Sequence, residues 1–73
     1  MNELFGKLVE ASGLSPLFAE NALRRALLRA GVDPTKLTSA TLTAALPELE
    51  RTIFTFLPEE AERVMKSIRA LGR

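Results

Sequence analysis

Leu42, Leu46, Leu49, Ile53 and Phe56 recur at spacings of four, three, four and three, which keeps apolar side chains on one continuous helical face. Pro47 interrupts that stripe. A proline in mid-helix costs about 3 kcal/mol and disfavours helical backbone at the residue before it, here Leu46. The pattern predicts either one kinked helix or a short helix over 39–45 abutting a second over 47–56. The unbroken phase of the stripe favours nearly collinear segments, with Thr38 as the cap. Ala61, Val64, Met65, Ile68 and Leu71 form the clearest amphipathic stripe in the chain. Leu57-Pro58-Glu59-Glu60 opens that helix, with acidic side chains where the helix dipole favours them, and Gly72 closes it.

The first half of the chain reads the same way. Asn2 is placed to cap a helix from Glu3 to Ser12, with Leu4, Leu8 and Ala11 on one stripe and Phe5 and Val9 beside it. Gly6 inside this helix costs about 1 kcal/mol relative to alanine, or marks a close approach by another backbone. Gly13 is its stop. Ser15-Pro16 starts a second helix running to Ala30, with Gly31 beyond it. Its apolar arc holds Phe18, Ala19, Ala22, Leu23, Ala26, Leu27 and Ala30. Leu17 and Leu28 fall outside the arc, beside Asn21 and Arg24. Asp33-Pro34 begins a single turn through Leu37. Thr52 to Leu57 has a β-favouring composition, but its flanks are helical and it is read as helix.

These elements predict an all-α fold, a compact bundle of four to five short helices in a single domain over 1–73. The expected core is Leu49, Ile53, Val64, Met65 and Ile68, joined by Leu8, Leu23 and Leu27. Surface pairs are expected between Glu20 and Arg24, Glu59 and Arg63, and Glu62 and Lys66.

Composition narrows the chemistry. The 73 residues contain no histidine, cysteine, tyrosine or tryptophan. Histidine and cysteine are the usual near-neutral acid–base and nucleophilic side chains and supply most transition-metal ligands. Disulfides are therefore excluded. A chain this short buries only about 60% of its unfolded surface, which leaves packed helices or association as the sources of stability. The apolar content of 47% argues against disorder. No apolar run approaches the roughly 20 residues needed to cross a bilayer, and Met1-Asn2-Glu3-Leu4 lacks a secretory start. A cytoplasmic protein without membrane contact is the expectation.

Candidate motifs mostly have local explanations. Glu59, Glu60 and Glu62 fit first-turn dipole complementation, and no histidine completes a ligand set. Ser12, Ser15 and Ser67 have no base to activate them, and no glycine-rich phosphate loop occurs. No catalytic residue, metal or cofactor is expected. Lys7 to Ser15, with the turn Ser12-Gly13-Leu14-Ser15 between two helices, resembles the DNA-binding helix-turn-helix over the first third of the chain. That resemblance implies contacts from Ser15, Glu20, Asn21, Arg24 and Arg25. The chain departs from it at Pro16, Leu17 and Phe18, where polar groups should meet base edges, and at Val9, where a small residue is usual. Net charge is +1 and neither half is strongly basic, unlike a strong nucleic-acid binder.

Leu17, Leu28 and Phe54 remain once the stripes are turned inward. Three large apolar residues beyond so thin a core point to a further buried surface. The expected function is a non-catalytic helical protein-interaction or assembly module, homodimeric or docked on a protein partner. Leu17, Leu28 and Phe54 would be its anchors, and Arg24, Arg25 and Arg29 its charged rim. The alternative is a small DNA-binding regulator using residues 3–30.

Overall fold

A computed structural model describes residues 2–72. It contains five α-helices: α1 (Glu3–Ser12), α2 (Pro16–Arg29), α3 (Ser39–Ala44), α4 (Leu46–Phe56) and α5 (Ala61–Leu71), with a 3₁₀ turn at Pro34–Lys36. No strand occurs among the described residues, and Thr52 to Phe56 is helical. The fold is all-α, as the stripes imply.

Each boundary has a local cause. The Asn2 carboxamide oxygen accepts from the Phe5 amide, while its nitrogen donates to the Leu37 carbonyl, which pins the start of α1 to the 3₁₀ turn. Ser15, by contrast, makes no side-chain cap, so the start of α2 rests on Pro16, whose fixed φ suits a first helical position. Gly31 follows α2 at φ +78°, its amide donating to Leu28 and that of Val32 to Leu27. This is the paired closure that a left-handed glycine permits, and it turns Val32 into the core. Asp33 accepts from the Thr35 amide and hydroxyl; these bonds hold its carboxyl below the usual carboxylate range. Thr38 and Thr41 cap α3 reciprocally.

The stretch 39–56 is two helices, α3 and α4, rather than one kinked helix. Ala45, still near helical backbone, ends the first and starts the second, and Pro47 stands in the first turn of α4. The last helix begins at Ala61, later than the Pro58 start expected from sequence, because residues 58–60 form turns. Glu60 therefore becomes its N-cap, and Arg63 pairs with Glu60 at 3.1 Å rather than with Glu59.

Four helices pack in a closed order: α1 on α2, α2 on α4, α4 on α5, and α5 back on α1, with α3 against α4. Cross-helix contacts give the directions. Arg29 meets Glu48 at one end of α2–α4 and Phe18 meets Phe56 at the other, so the two run antiparallel. Arg69 and Glu50 tie the end of α5 to the start of α4 in the same sense. All eight expected core residues are buried, together with Phe5, Leu37, Leu42 and Ala61. The radius of gyration, 10.5 Å, is slightly below the roughly 11 Å typical of a globular chain this long. Gly72 makes a close approach to α3. A Cβ there would stand 2.9 Å from the Thr43 hydroxyl, so α5 ends tucked against α3.

Three apolar assignments differ from the sequence pattern. Phe56 belongs to the α4 stripe and Phe18 to the α2 arc, yet both are close to half exposed. Each stands at a helix end where the neighbouring helix runs out, and they pack on each other instead of on the core. Leu46, beside the Pro47 break, is half-buried rather than buried. Thr52 takes a buried position on α4 in their place.

Candidate interaction surface

The antiparallel pairing of α2 and α4 leaves a groove of about 600 Å³ between them. From α2 it receives Phe18, Ala22, Arg25 and Arg29, at spacings of four, three and four. That spacing is one face of a helix. From α4 come Arg51, Thr52, Thr55 and Phe56. Ala22 keeps the floor open because it has little side chain to fill it.

The two aromatic rings close one end. Their centroids lie 4.9 Å apart with planes at 88°, an edge-to-face pair. At the other end the Arg29 guanidinium donates to the buried Thr52 hydroxyl at 3.1 Å and to the Glu48 carboxylate at 3.3 Å. Arg29 is thus a strut between α2 and α4, which differs from the free rim position expected of it. Arg24 is engaged as expected, with Glu20 at 2.8 Å. Arg25 and Arg51 are different. They line the groove from opposite helices, and neither has an ion pair or side-chain hydrogen bond among the described residues. Among the described residues no carboxylate lines the groove.

Leu17 and Leu28 stand eleven residues apart on the outer face of α2, 78% and 57% exposed. They share that stripe with Asn21, which also lines the groove, so the leucine ridge runs along the groove's edge. Phe54 is 44% exposed but does not line the groove. At about 100° per residue it projects from α4 on the side of Glu50, the residue that pairs with Arg69 of α5. The expected residues therefore divide: Leu17, Leu28 and Arg25 flank one groove, Arg24 and Arg29 are held within the chain, and Phe54 stands apart.

Phe18, Phe56 and Arg51 are the contributors that the sequence pattern missed. The signal for the aromatic pair lies in the helix boundaries. Pro16 fixes Phe18 in the first turn of α2, and Leu57-Pro58 ends α4 at Phe56, so antiparallel packing brings the two together. Arg51 has no sequence signal beyond its place in α4.

A second groove, of about 480 Å³, runs between α1 and the start of α2, with Phe5, Gly6, Val9 and Leu14 on its apolar side and Glu10 and Glu20 flanking them. A Cβ at Gly6 would meet nothing within 4 Å, so no backbone of this chain makes the close approach that the glycine allows. Among the described residues no group of three or more acidic side chains is arranged to hold a metal ion, and no helix is long and apolar enough to cross a membrane. No family model, curated protein or solved structure matches the chain.

Proposed function

We propose that the chain is a non-catalytic protein-interaction or assembly module whose contact surface is the α2–α4 face. One observation carries the reading. The large apolar residues found exposed, Leu17, Phe18, Leu28, Phe54 and Phe56, all belong to α2 and α4, and α1, α3 and α5 contribute none of them.

The magnitudes favour joint action. Desolvating a leucine- or phenylalanine-sized side chain contributes roughly 1.5–3 kcal/mol, whereas association costs on the order of 4–15 kcal/mol in lost freedom. Scaled by their 78% and 57% exposure, the two leucines alone supply about 2–4 kcal/mol, at or below the low end of that cost. The leucine ridge together with the aromatic end of the groove comes within its range. The partner is another protein or a second copy of the chain. The DNA-binding alternative has less support. Arg24 is already tied to Glu20, and the first turn of α2 offers Leu17 and Phe18 where base edges require polar groups.

The test compares the parent protein with Leu17→Ser and Leu28→Ser variants by sedimentation and by capture of co-purifying proteins. The expected outcome is a loss of self-association or of a captured partner at unchanged helicity. A parent that stays monomeric at high concentration and captures nothing sinks the reading. So do variants that behave as the parent does.

A further inference from the structure

We propose that the α2–α4 groove binds an acidic segment of another protein, its carboxylates on Arg25 and Arg51 and one large apolar side chain against Phe18 and Phe56. The inference rests on the interaction-module reading and adds the chemistry of the partner.

Charge complementarity is the main argument. Four arginines have carboxylate partners within the chain, at Glu20, Glu48, Glu60 and Glu50. Arg25 and Arg51 have none among the described residues, and they stand on the two walls of one groove that no acidic side chain lines. Arginine's planar fork is suited to carboxylate recognition. The apolar anchor follows from the ring geometry. An edge-to-face pair engages the face of one ring with the edge of the other, so further ring surface stays open, and both residues are close to half exposed.

Size points to a segment rather than a globular surface. From Phe18 to Arg29 the groove follows α2 for about 16 Å, the length of three helical turns of a peptide. A second copy is a poor occupant across a two-fold axis, because Arg25, Arg29 and Arg51 would face their own counterparts. A single-stranded nucleic acid suits the groove less well. The net charge of +1 provides little attraction for a phosphate backbone, and the two rings pack on one another rather than presenting parallel stacking platforms.

The experiment pans a displayed random library of roughly twelve-residue peptides, long enough to fill the groove as a helix, on the parent protein. Binders retained by an Arg25→Glu/Arg51→Glu variant are removed. Both arginines are exposed and have no ion pair among the described residues, so the variant is expected to fold, which circular dichroism checks. Thr55→Glu, which places a carboxylate in the groove from an exposed position, is the second variant. The expected result is enrichment of acidic sequences with an aromatic or leucine anchor. A synthesised winner should bind the parent at least about tenfold more tightly than either variant, with affinity falling as salt rises.

Enrichment of neutral or basic sequences overturns the proposal, as does equal binding to the variants or an empty selection. Tighter, Arg51-dependent binding of a single-stranded oligonucleotide also overturns it, in favour of a nucleic-acid groove. Self-association abolished by Arg51→Glu does so in favour of a second copy. The broader reading is separable from all of these. If Leu17→Ser and Leu28→Ser still abolish capture of a partner while the groove variants do not, the interaction-module reading stands, with its contact centred on the leucine ridge, and the acidic-segment proposal falls.

Discussion

Helices α5 and α2 are both amphipathic and both contribute four residues to the core, but they treat their outer faces differently. On α5, Ala61, Val64, Met65 and Ile68 are buried, and the exposed positions are Glu62, Arg63, Lys66, Ser67, Arg69 and Ala70. Every large apolar side chain that is not in the core stays off its surface. On α2, Ala19, Leu23, Ala26 and Leu27 are buried, yet Leu17, Phe18 and Leu28 face water. The folding of one chain accounts for all of α5. It accounts for only part of α2, because burying the inner face needs none of the three exposed residues. On the proposed function they are surface kept for a partner.

Truncation should separate the two helices sharply. Ile68→Ala on α5 removes a fully buried side chain and is expected to cost about 2–5 kcal/mol, a large share of a small domain's stability. Thermal denaturation checks it, and a melt like the parent's would erase the contrast from the α5 side. An intermediate effect is expected at the open end of the groove. Phe18 and Phe56 contribute about 0.5–1.5 kcal/mol through their edge-to-face contact, measurable as the coupling in a double-mutant cycle of Phe18→Ala and Phe56→Ala by urea unfolding. Zero coupling would mean that the rings do not meet in solution. The smallest effect belongs to the ridge. Leu17→Ser and Leu28→Ser should each change stability by no more than about 0.5 kcal/mol, as surface substitutions do. Unfolding of either variant would place these leucines in the core and remove the contrast from the α2 side.

The helix stripes were legible in the sequence because they depend on local rules. Spacing of three and four residues, prolines at helix starts and glycines beyond helix ends place α1 and α2 within about a residue and identify most of the buried leucines and isoleucines. They leave 39–56 open between one helix and two, and they start α5 three residues early. Cap chemistry was less legible. Ser15 has the right residue type but makes no cap bond, and Glu59 and Glu60 lie before α5 rather than inside it. The groove was the least legible part. Helical phase alone assigns Phe18 and Phe56 inward, and their exposure follows from where α2 and α4 end relative to each other, which is a tertiary fact. The same holds for Arg29. Its sequence position suggests dipole complementation, and the structure adds Thr52 and Glu48 from a helix whose direction no local rule supplies.

The closed order of the helices also has a consequence in time. The seams α1–α2 and α4–α5 join helices that follow one another, whereas the seam α5–α1 joins the last helix to the first. Its formation closes the longest loop in the molecule, and loop-closure entropy grows with length while local pairs form fastest. That seam is expected to zip last, burying Phe5 and Leu8 only after the local helix pairs have met, an order that pulse-labelled amide exchange during refolding reads directly. The proposed contact face and the last-closing seam then lie on different helix pairs, so the α2–α4 surface takes shape before the ring of helices is shut.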